Sequence, residues 1–257
     1  MTSITSEVMS QIGPLLKTWR TRRRLSQLDL ALEAGVSTRH LSFVETGRAR
    51  PSEQMVLHLA EQLDVPLRER NRLLLAAGYA PVYAQRALDA PELGPVKDAL
   101  DQLLASHEPF PAIVVDRGWN LVAANRAIAM LTEGAAPHLL EPPVNALRLA
   151  LHPDGMAKRI ANYGEWRAHL LHDLAAVRDQ TADPELAALH EELTAYPGPD
   201  AEPAAHDVFV PLRIDGLTFL STRTTFGTAV DVTVSELAIE AFYPADDATF
   251  KACAARR

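Results

Sequence analysis

The sequence predicts an α+β protein in two parts: an all-α N-terminal part of five short helices, then an α+β part built round an antiparallel sheet. Three observations carry this. The first 78 residues show helix caps and apolar spacings of three and four, and no strand alternation. Beyond residue 95, β-rich runs flank Gly-containing turn dipeptides. Charge also divides unevenly. Residues 1–80 hold 11 Lys+Arg and 8 Asp+Glu, residues 81–257 hold 14 and 25, and the whole chain carries −8. A basic head on an acidic body points to a partner for the head alone.

The helices follow in order. Pro14 suits a first helical position, where its missing N–H is not needed, and Leu15, Leu16 and Trp19 give that helix an apolar face before "RTRRR" (Arg20 to Arg24). Ser26 caps a second helix, with Asp29 placed to complete a capping box. Gly35 ends it. Ser37 caps a third helix running to about Glu45, followed by the basic loop "TGRARPS". Ser52 caps a fourth, with Met55, Val56, Leu59, Ala60 and Leu63 on one face. Pro66 opens a fifth that stops at Gly78. Residues 81–95 carry Pro81, Pro91 and Pro95 and read as a linker between a head at 1–80 and a second domain at 96–257.

In that domain, Ala112 to Asn125 reads as two strands joined by a tight turn at Arg117-Gly118. A helix-rich middle follows, from about Gly155 to Tyr196. "DVFVPLRI-DG-LTFLSTRTTF" reads as a hairpin, because Asp-Gly suits a two-residue turn. "TAVDVTV" is expected to add a strand, "SELAIEAFY" a last helix capped by Ser235, and "KACAARR" a frayed tail.

With 257 residues, 47% of them hydrophobic and 23% charged, the chain can build real cores. It has no run of 18 apolar residues, and "MTSITSEVMSQIG" lacks the apolar core of a signal peptide. The single cysteine, Cys253, has no internal partner, and no CxxC suggests zinc. The expectation is a cytoplasmic protein without membrane attachment, metal or cofactor. No P-loop or Rossmann glycine pattern occurs, and Ser221 has no G-x-S-x-G around it, so no enzyme is expected. His169, His172 and Asp173 share a helical face at metal-like spacing but lack a further ligand segment, so they read as a solvated face.

Gly35 with the polar run Ser37-Thr38-Arg39-His40 organises the head. Two short helices crossing steeply need a tight turn whose residue reaches φ > 0, which glycine does without a Cβ clash. The second helix of such a pair enters the major groove by its N-terminal end, so its first turn is polar and its back apolar. "LSQLDLALEAGVSTRHLSFVETGRARPS" resembles the Xre/Cro-type helix-turn-helix domain over about residues 12–78, through Gln27, Ala31, Gly35, Val36, Leu41, Val44, Glu45 and Gly47. The resemblance implies that Gln27 meets the DNA backbone and that Thr38, Arg39 and Phe43 read bases, with Ser37, His40 and Ser42 nearby. On chemical grounds Arg39 suits guanine O6 and N7, and Phe43 a thymine methyl. Arg48 and Arg50, with some of Arg20, Arg22, Arg23 and Arg24, suit phosphates.

The remaining chain is too acidic to hold DNA. From "PFPAIVVDRGWNLVAANRA" to "STRTTFGTAVDVTVSELAIEAFYPADDATF" it resembles the MmyB-like ligand-binding domain, a PAS-related fold found behind Xre-type heads. That implies a transcriptional regulator binding a small amphipathic or fatty-acid-like molecule. Large apolar groups with a few polar anchors would line such a pocket. The candidates are Trp119, His152, Met156, Asn162, Trp166, Phe209, Phe219 and Arg223, with Phe226, Arg213 and Thr224 behind them. One helix-turn-helix reads a half-site, so a homodimer on a palindromic double-stranded DNA operator is expected. The competing reading is a DNA-binding module, antitoxin-like or architectural, whose second domain grips a protein.

Overall fold

The computed structural model describes residues 12–181, 183–199 and 209–256. The chain start and Asp207-Val208, read above as part of a strand, lie outside the described residues. The chain forms two compact units, one running to Gln85 with the short pieces Asp179–Thr181 and Val230–Val232, the other formed by the rest from Arg86 on.

The first unit holds five helices: α1 (Ile12–Arg22), α2 (Gln27–Glu33), α3 (Thr38–Glu45), α4 (Glu53–Gln62) and α5 (Leu67–Ala76). Their starts are set locally. Ser26 and Asp29 make the reciprocal capping box, and Ser37 and Ser52 each accept from the backbone N–H three residues on. Gly35 sits at φ 63, and the Val36 N–H returns to the Ala31 carbonyl, so α2 turns directly into α3. Leu16, Trp19, Leu30, Leu41, Val44, Val56, Leu59 and Leu74 close one core. Gly13 lets α1 approach the end of α3, where a Cβ would lie 2.3 Å from the Glu45 carbonyl oxygen.

The second unit is built on one antiparallel sheet in the order β2-β1-β5-β4-β3. Its strands are β1 (Ala112–Val115), β2 (Leu121–Ala124), β3 (Leu212–Ile214), β4 (Leu217–Thr225) and β5 (Ala238–Pro244). Asp215 and Gly216 both have positive φ, which makes the β3–β4 connection the expected two-residue turn. Helix α6 (Gly94–Ser106) covers one face through Leu100 and Leu104, which meet Ala112, Val114, Leu237 and Ile239. The opposite face carries Ile113, Val115, Phe219 and Ala238, under α7 (Ala129–Thr132), α8 (Ala146–Leu151), α9 (Tyr163–Thr181) and α10 (Pro184–Thr194). No helix among the described residues is long and apolar enough to cross a membrane.

Three expectations fail near the C-terminus. The stretch read as a strand holds instead the short helix α11 (Val232–Ser235). "SELAIEAFY", read as a helix, contains β5, the central strand. The reason is burial on both faces: Leu237 and Ile239 face α6 while Ala238 and Phe242 face the other core, leaving no clean alternation. The expected frayed tail is α12 (Asp247–Ala254), capped by Asp246, with Cys253 fully buried.

Candidate functional site

The first candidate surface is the exposed side of α3. Arg39 is exposed, and Thr38, His40, Ser42 and Phe43 are half-buried, while Leu41 and Val44 turn inward. The Arg39 guanidinium lies over the Phe43 ring, 5.3 Å from its centroid, one helical turn apart. After α3, Gly47 takes φ 72 and the Phe43 carbonyl accepts from both Arg48 and Ala49 N–H, which folds the loop and leaves Arg48 exposed.

Glu45 anchors this helix. Its carboxylate accepts from Arg20 Nε at 2.7 Å, Arg20 Nη2 at 3.0 Å and Gln27 Nε2 at 2.7 Å, joining α1, α2 and α3. The hydrogen bond to Glu45 raises the Arg20 pKa above its ordinary value, so the guanidinium stays charged while buried. Gln27 is therefore tied inward as well as lying at the start of α2. Several of the basic residues read as phosphate contacts have structural work. Arg20 is buried, Arg23 donates to the Leu63 and Asp64 carbonyls, and Arg50 donates to the Ala77 carbonyl and stacks on Tyr79. Arg22, Arg24, Arg39, Arg48 and Arg50 are exposed.

The second candidate site is a cavity of about 470 Å³ between the sheet and the helices above it. Most of its wall is apolar: Ile113, Leu121 and Phe242 from the sheet, Leu131 from α7, Leu147 and Ala150 from α8, Trp166 and Leu170 from α9. Trp119 enters from the β1–β2 turn. It takes φ 63 itself, whereas the sequence pointed to Gly118 as the special residue. The turn is held by Asp116 Oδ1, which accepts from Gly118 and Asn120 N–H, and by Asn145, whose Nδ2 donates to the Gly118 carbonyl. Arg117 pairs with Asp183 just ahead of α10. Such a left-handed conformation at a bulky residue persists only where its surroundings over-determine it.

One part of the wall is polar. Ser221, Arg223 and Glu240 come from the sheet, and His169 and Asp173 from α9. Arg223 and Glu240 are directly opposite across β4 and β5, with Nε donating to Oε1 at 3.0 Å. The Arg223 guanidinium also lies 4.1 Å from the Trp119 ring centroid. Burial pushes the Glu240 carboxyl up to about 7; Arg223 pulls it down and the Asp173 carboxylate pushes it up. Trp119 Nε1 is buried and has no hydrogen-bond partner among the described residues.

Of the residues expected in a pocket, Trp119, Met156, Trp166 and Arg223 line this cavity together. The others lie elsewhere. Phe219 is fully buried beneath the wall, its ring edge-on to Phe242, and Phe209 is exposed. His152 packs between His138 and Tyr196, and its Nδ1 accepts from Asp154 N–H. Asn162 is used by the backbone, donating to the Pro211 carbonyl and accepting from Arg213 N–H. Phe226 packs on the α6 side, and Arg213 and Thr224 are exposed.

The sequence reading missed Glu240, His169, Asp173 and Ser221 as wall residues. Glu240 was hidden by reading β5 as a helix, and Ser221 was weighed only as a nucleophile. His169 and Asp173 were read as a solvated face; their side chains lie 3.8 Å apart and reach the cavity half-exposed. Among the described residues, no group of three or more His, Cys, Asp or Glu is placed to hold a metal ion.

Comparison with known proteins fits both surfaces. A helix-turn-helix family profile matches residues 16–70, which include α2, α3 and their turn. No curated protein matches the chain. One solved structure, entitled "Structure of an RNA-binding Light-Oxygen-Voltage Receptor", is similar over 96% of this chain and 63% of that one, at 16% identity and a TM-score of 0.27. The chain thus spans about 63% of the length of that structure. The MmyB-like transcription regulator ligand binding domain matches residues 96–255, the greater part of the chain including every strand among the described residues and the whole cavity wall, and the chain belongs to that family.

Proposed function

We propose that this regulator is a cytoplasmic homodimer that reads a palindromic operator with α3 and senses a small amphipathic molecule in the C-terminal cavity. In this reading the head spans residues 1–80, the linker 81–95 and the sensor domain 96–257. Arg39 and Phe43 read bases with Thr38, and Ser37, His40 and Ser42 lie close by. Gln27 and Arg48 meet the backbone. The observation that carries the sensor half is the cavity itself: about 470 Å³, within the range of small-molecule sites, apolar except for one polar stretch of wall. The apolar part suits the chain of a fatty-acid-like molecule, and the polar part suits its head.

The coupling is a population shift. Ligand favours one arrangement of the dimer, and only arrangements that place the two recognition helices roughly 34–36 Å apart bind both half-sites. A coupling of about 1–3 kcal/mol gives roughly 5- to 150-fold in DNA affinity. Native mass spectrometry of gently purified protein, followed by denaturing analysis of what dissociates, tests the reading. A dimer carrying one small amphiphile per chain is expected, and removing that amphiphile should change operator affinity. A stoichiometric protein partner would favour the binding-module reading. Unchanged DNA affinity with and without the amphiphile would sink the sensor reading.

A further inference from the structure

We propose that the open edge of β4 is where two copies of this chain meet, each adding its β4 antiparallel to the other's, so that one sheet runs through the dimer. This rests on the reading of the protein as a homodimer and names the surface that makes it.

Strand β4 spans Leu217–Thr225, but β3 pairs with it only from Leu217 to Phe219. On its other side β5 pairs with it throughout, from Phe219 to Thr225. The ladder fixes which backbone groups are left over. The Ala245 N–H donates to the Thr218 carbonyl, so by alternation Thr218, Leu220, Thr222 and Thr224 turn their backbone groups toward β5. Ser221, Arg223 and Thr225 turn theirs the other way, where no strand among the described residues receives them. The outer strands of the sheet are better covered. The Leu121 N–H of β2 donates to the Val144 carbonyl, and the Ala161 N–H donates to the Arg213 carbonyl of β3. Thr222, Arg223, Thr224 and Thr225 are all exposed.

Exposed edges are ordinarily guarded by a lysine, a proline or a bulge. From Leu220 to Thr225 there is no lysine or proline, and the register with β5 runs unbroken. The one charged side chain, Arg223, is turned to Glu240 at 3.0 Å and to the Trp119 ring. An edge of this kind, rich in threonine, takes an extended strand as its occupant. A second copy supplies one whose register fits. Two-fold pairing centred on Arg223 would set like charges opposite each other. Centring on Thr222 would bring Thr225 of the second copy against Phe219, where β3 already lies. Centring on Thr224 avoids both: threonine faces threonine, and Arg223 and Thr225 exchange N–H···O bonds across the axis. Ser221 and Arg223 also line the cavity, so ligand site and dimer joint share one strand, which gives the ligand its hold on the dimer's arrangement.

Sedimentation velocity and native mass spectrometry of the full-length protein test this. Thr225→Pro removes an N–H that only an added strand would use, at an edge position where proline is tolerated. The change counts twice in a two-fold pair, so the dimer dissociation constant should rise about tenfold or more. The thermal transition of the variant, measured alongside, shows whether it folds. Thr224→Cys should form a disulfide-linked dimer under dissolved oxygen, since opposed residues in a pair of this type lie about 4.5 Å apart at Cα, within disulfide reach. Thr222→Cys should link far less, and Cys253 is fully buried. A folded Thr225→Pro protein that dimerises as the parent does, or linking at Thr224 no greater than at Thr222, would overturn the β4 surface while leaving the homodimer reading in place. A parent chain that stays monomeric at micromolar concentration and on operator DNA would overturn the homodimer reading, and this surface with it. A different protein bound in its place, and lost in Thr225→Pro, would overturn the second copy as the occupant.

Discussion

The two units dispose of buried polar groups in opposite ways. In the head, Arg20, Gln27 and Glu45 satisfy one another at the junction of three helices, and the polar residues of α3 are left facing outward. In the C-terminal unit Ser221, Arg223, Glu240, His169 and Asp173 line a cavity, and two buried donors, Trp119 Nε1 and Arg167 Nε, have no partner among the described residues. A closed network makes a rigid part whose function lies on its outside. An open one stores binding capacity inside, at some cost in stability. The contrast fits a head that presents a fixed surface to DNA and a second domain completed by what it binds.

Breaking the closed network should have the largest effect. Glu45→Ala leaves the Arg20 charge buried and unpaired, and should cost about 3–5 kcal/mol in the stability of the head. Chemical denaturation followed by helix signal would show an early transition for α1–α5, with operator binding lost together with it. Glu45→Gln, which retains an acceptor for Gln27 or Arg20, should cost less. Equal stability of Glu45→Ala and the parent would mean that the three-helix junction does not organise the head.

The open network is tested by pH. The folded carboxyl of Glu240 titrates at about 7 against an ordinary 4.5, so the folded protein holds a proton there that the unfolded chain has released. Stability from this group is present below about 4.5 and is lost as pH rises through about 7, with an upper figure of about 3 kcal/mol. The charged and titratable groups facing it are Arg223 on β4 and His169 and Asp173 on α9. Melting temperatures between pH 5 and pH 8 should therefore fall with pH more steeply in the parent than in Glu240→Gln. Asp173→Asn should move the midpoint down, since the Asp173 charge pushes the Glu240 value up.

The same contrast explains what could be read in advance. Every cap in the head is a contact within four residues of chain, so Ser26, Asp29, Ser37 and Ser52 announce their helices and Gly35 its turn. The Asp215-Gly216 hairpin was visible for the same reason. The cavity is non-local. Trp119, Trp166 and Arg223 meet there from segments more than 40 residues apart, and chemistry suggested the residue types without their neighbours. β5 was lost because both of its faces are buried, and Glu240 with it. Arg20 was read among the candidate phosphate contacts, since nothing local shows that Glu45 lies opposite it.

Smaller effects test the outward face of the head. Arg39→Ala should cost about 1–3 kcal/mol of discrimination for the cognate operator over other duplexes, because a bidentate guanine contact is lost. Arg48→Ala should weaken all duplexes alike and reduce the salt slope by about 0.9 per phosphate contact removed. Anisotropy titrations over a range of salt separate the two. An Arg39→Ala protein with an unchanged ratio of specific to non-specific affinity would place base reading elsewhere on α3.

Phe43 carries the smallest prediction, and it sharpens the picture of a preset surface. The Arg39 guanidinium rests on its ring. If the ring holds Arg39 in the orientation used for a base, then Phe43→Ala removes both the apolar contact and that preorganisation. The loss at an exposed site of this kind is about 0.5–1 kcal/mol. Phe43→Leu keeps apolar bulk without the aromatic face, so it should preserve any thymine-methyl contact while freeing Arg39. A double-mutant cycle of Arg39→Ala with Phe43→Leu, read as operator affinity, isolates the coupling. Additive losses would mean that the two residues read DNA independently, and that the stacked pair matters to α3 only as surface packing.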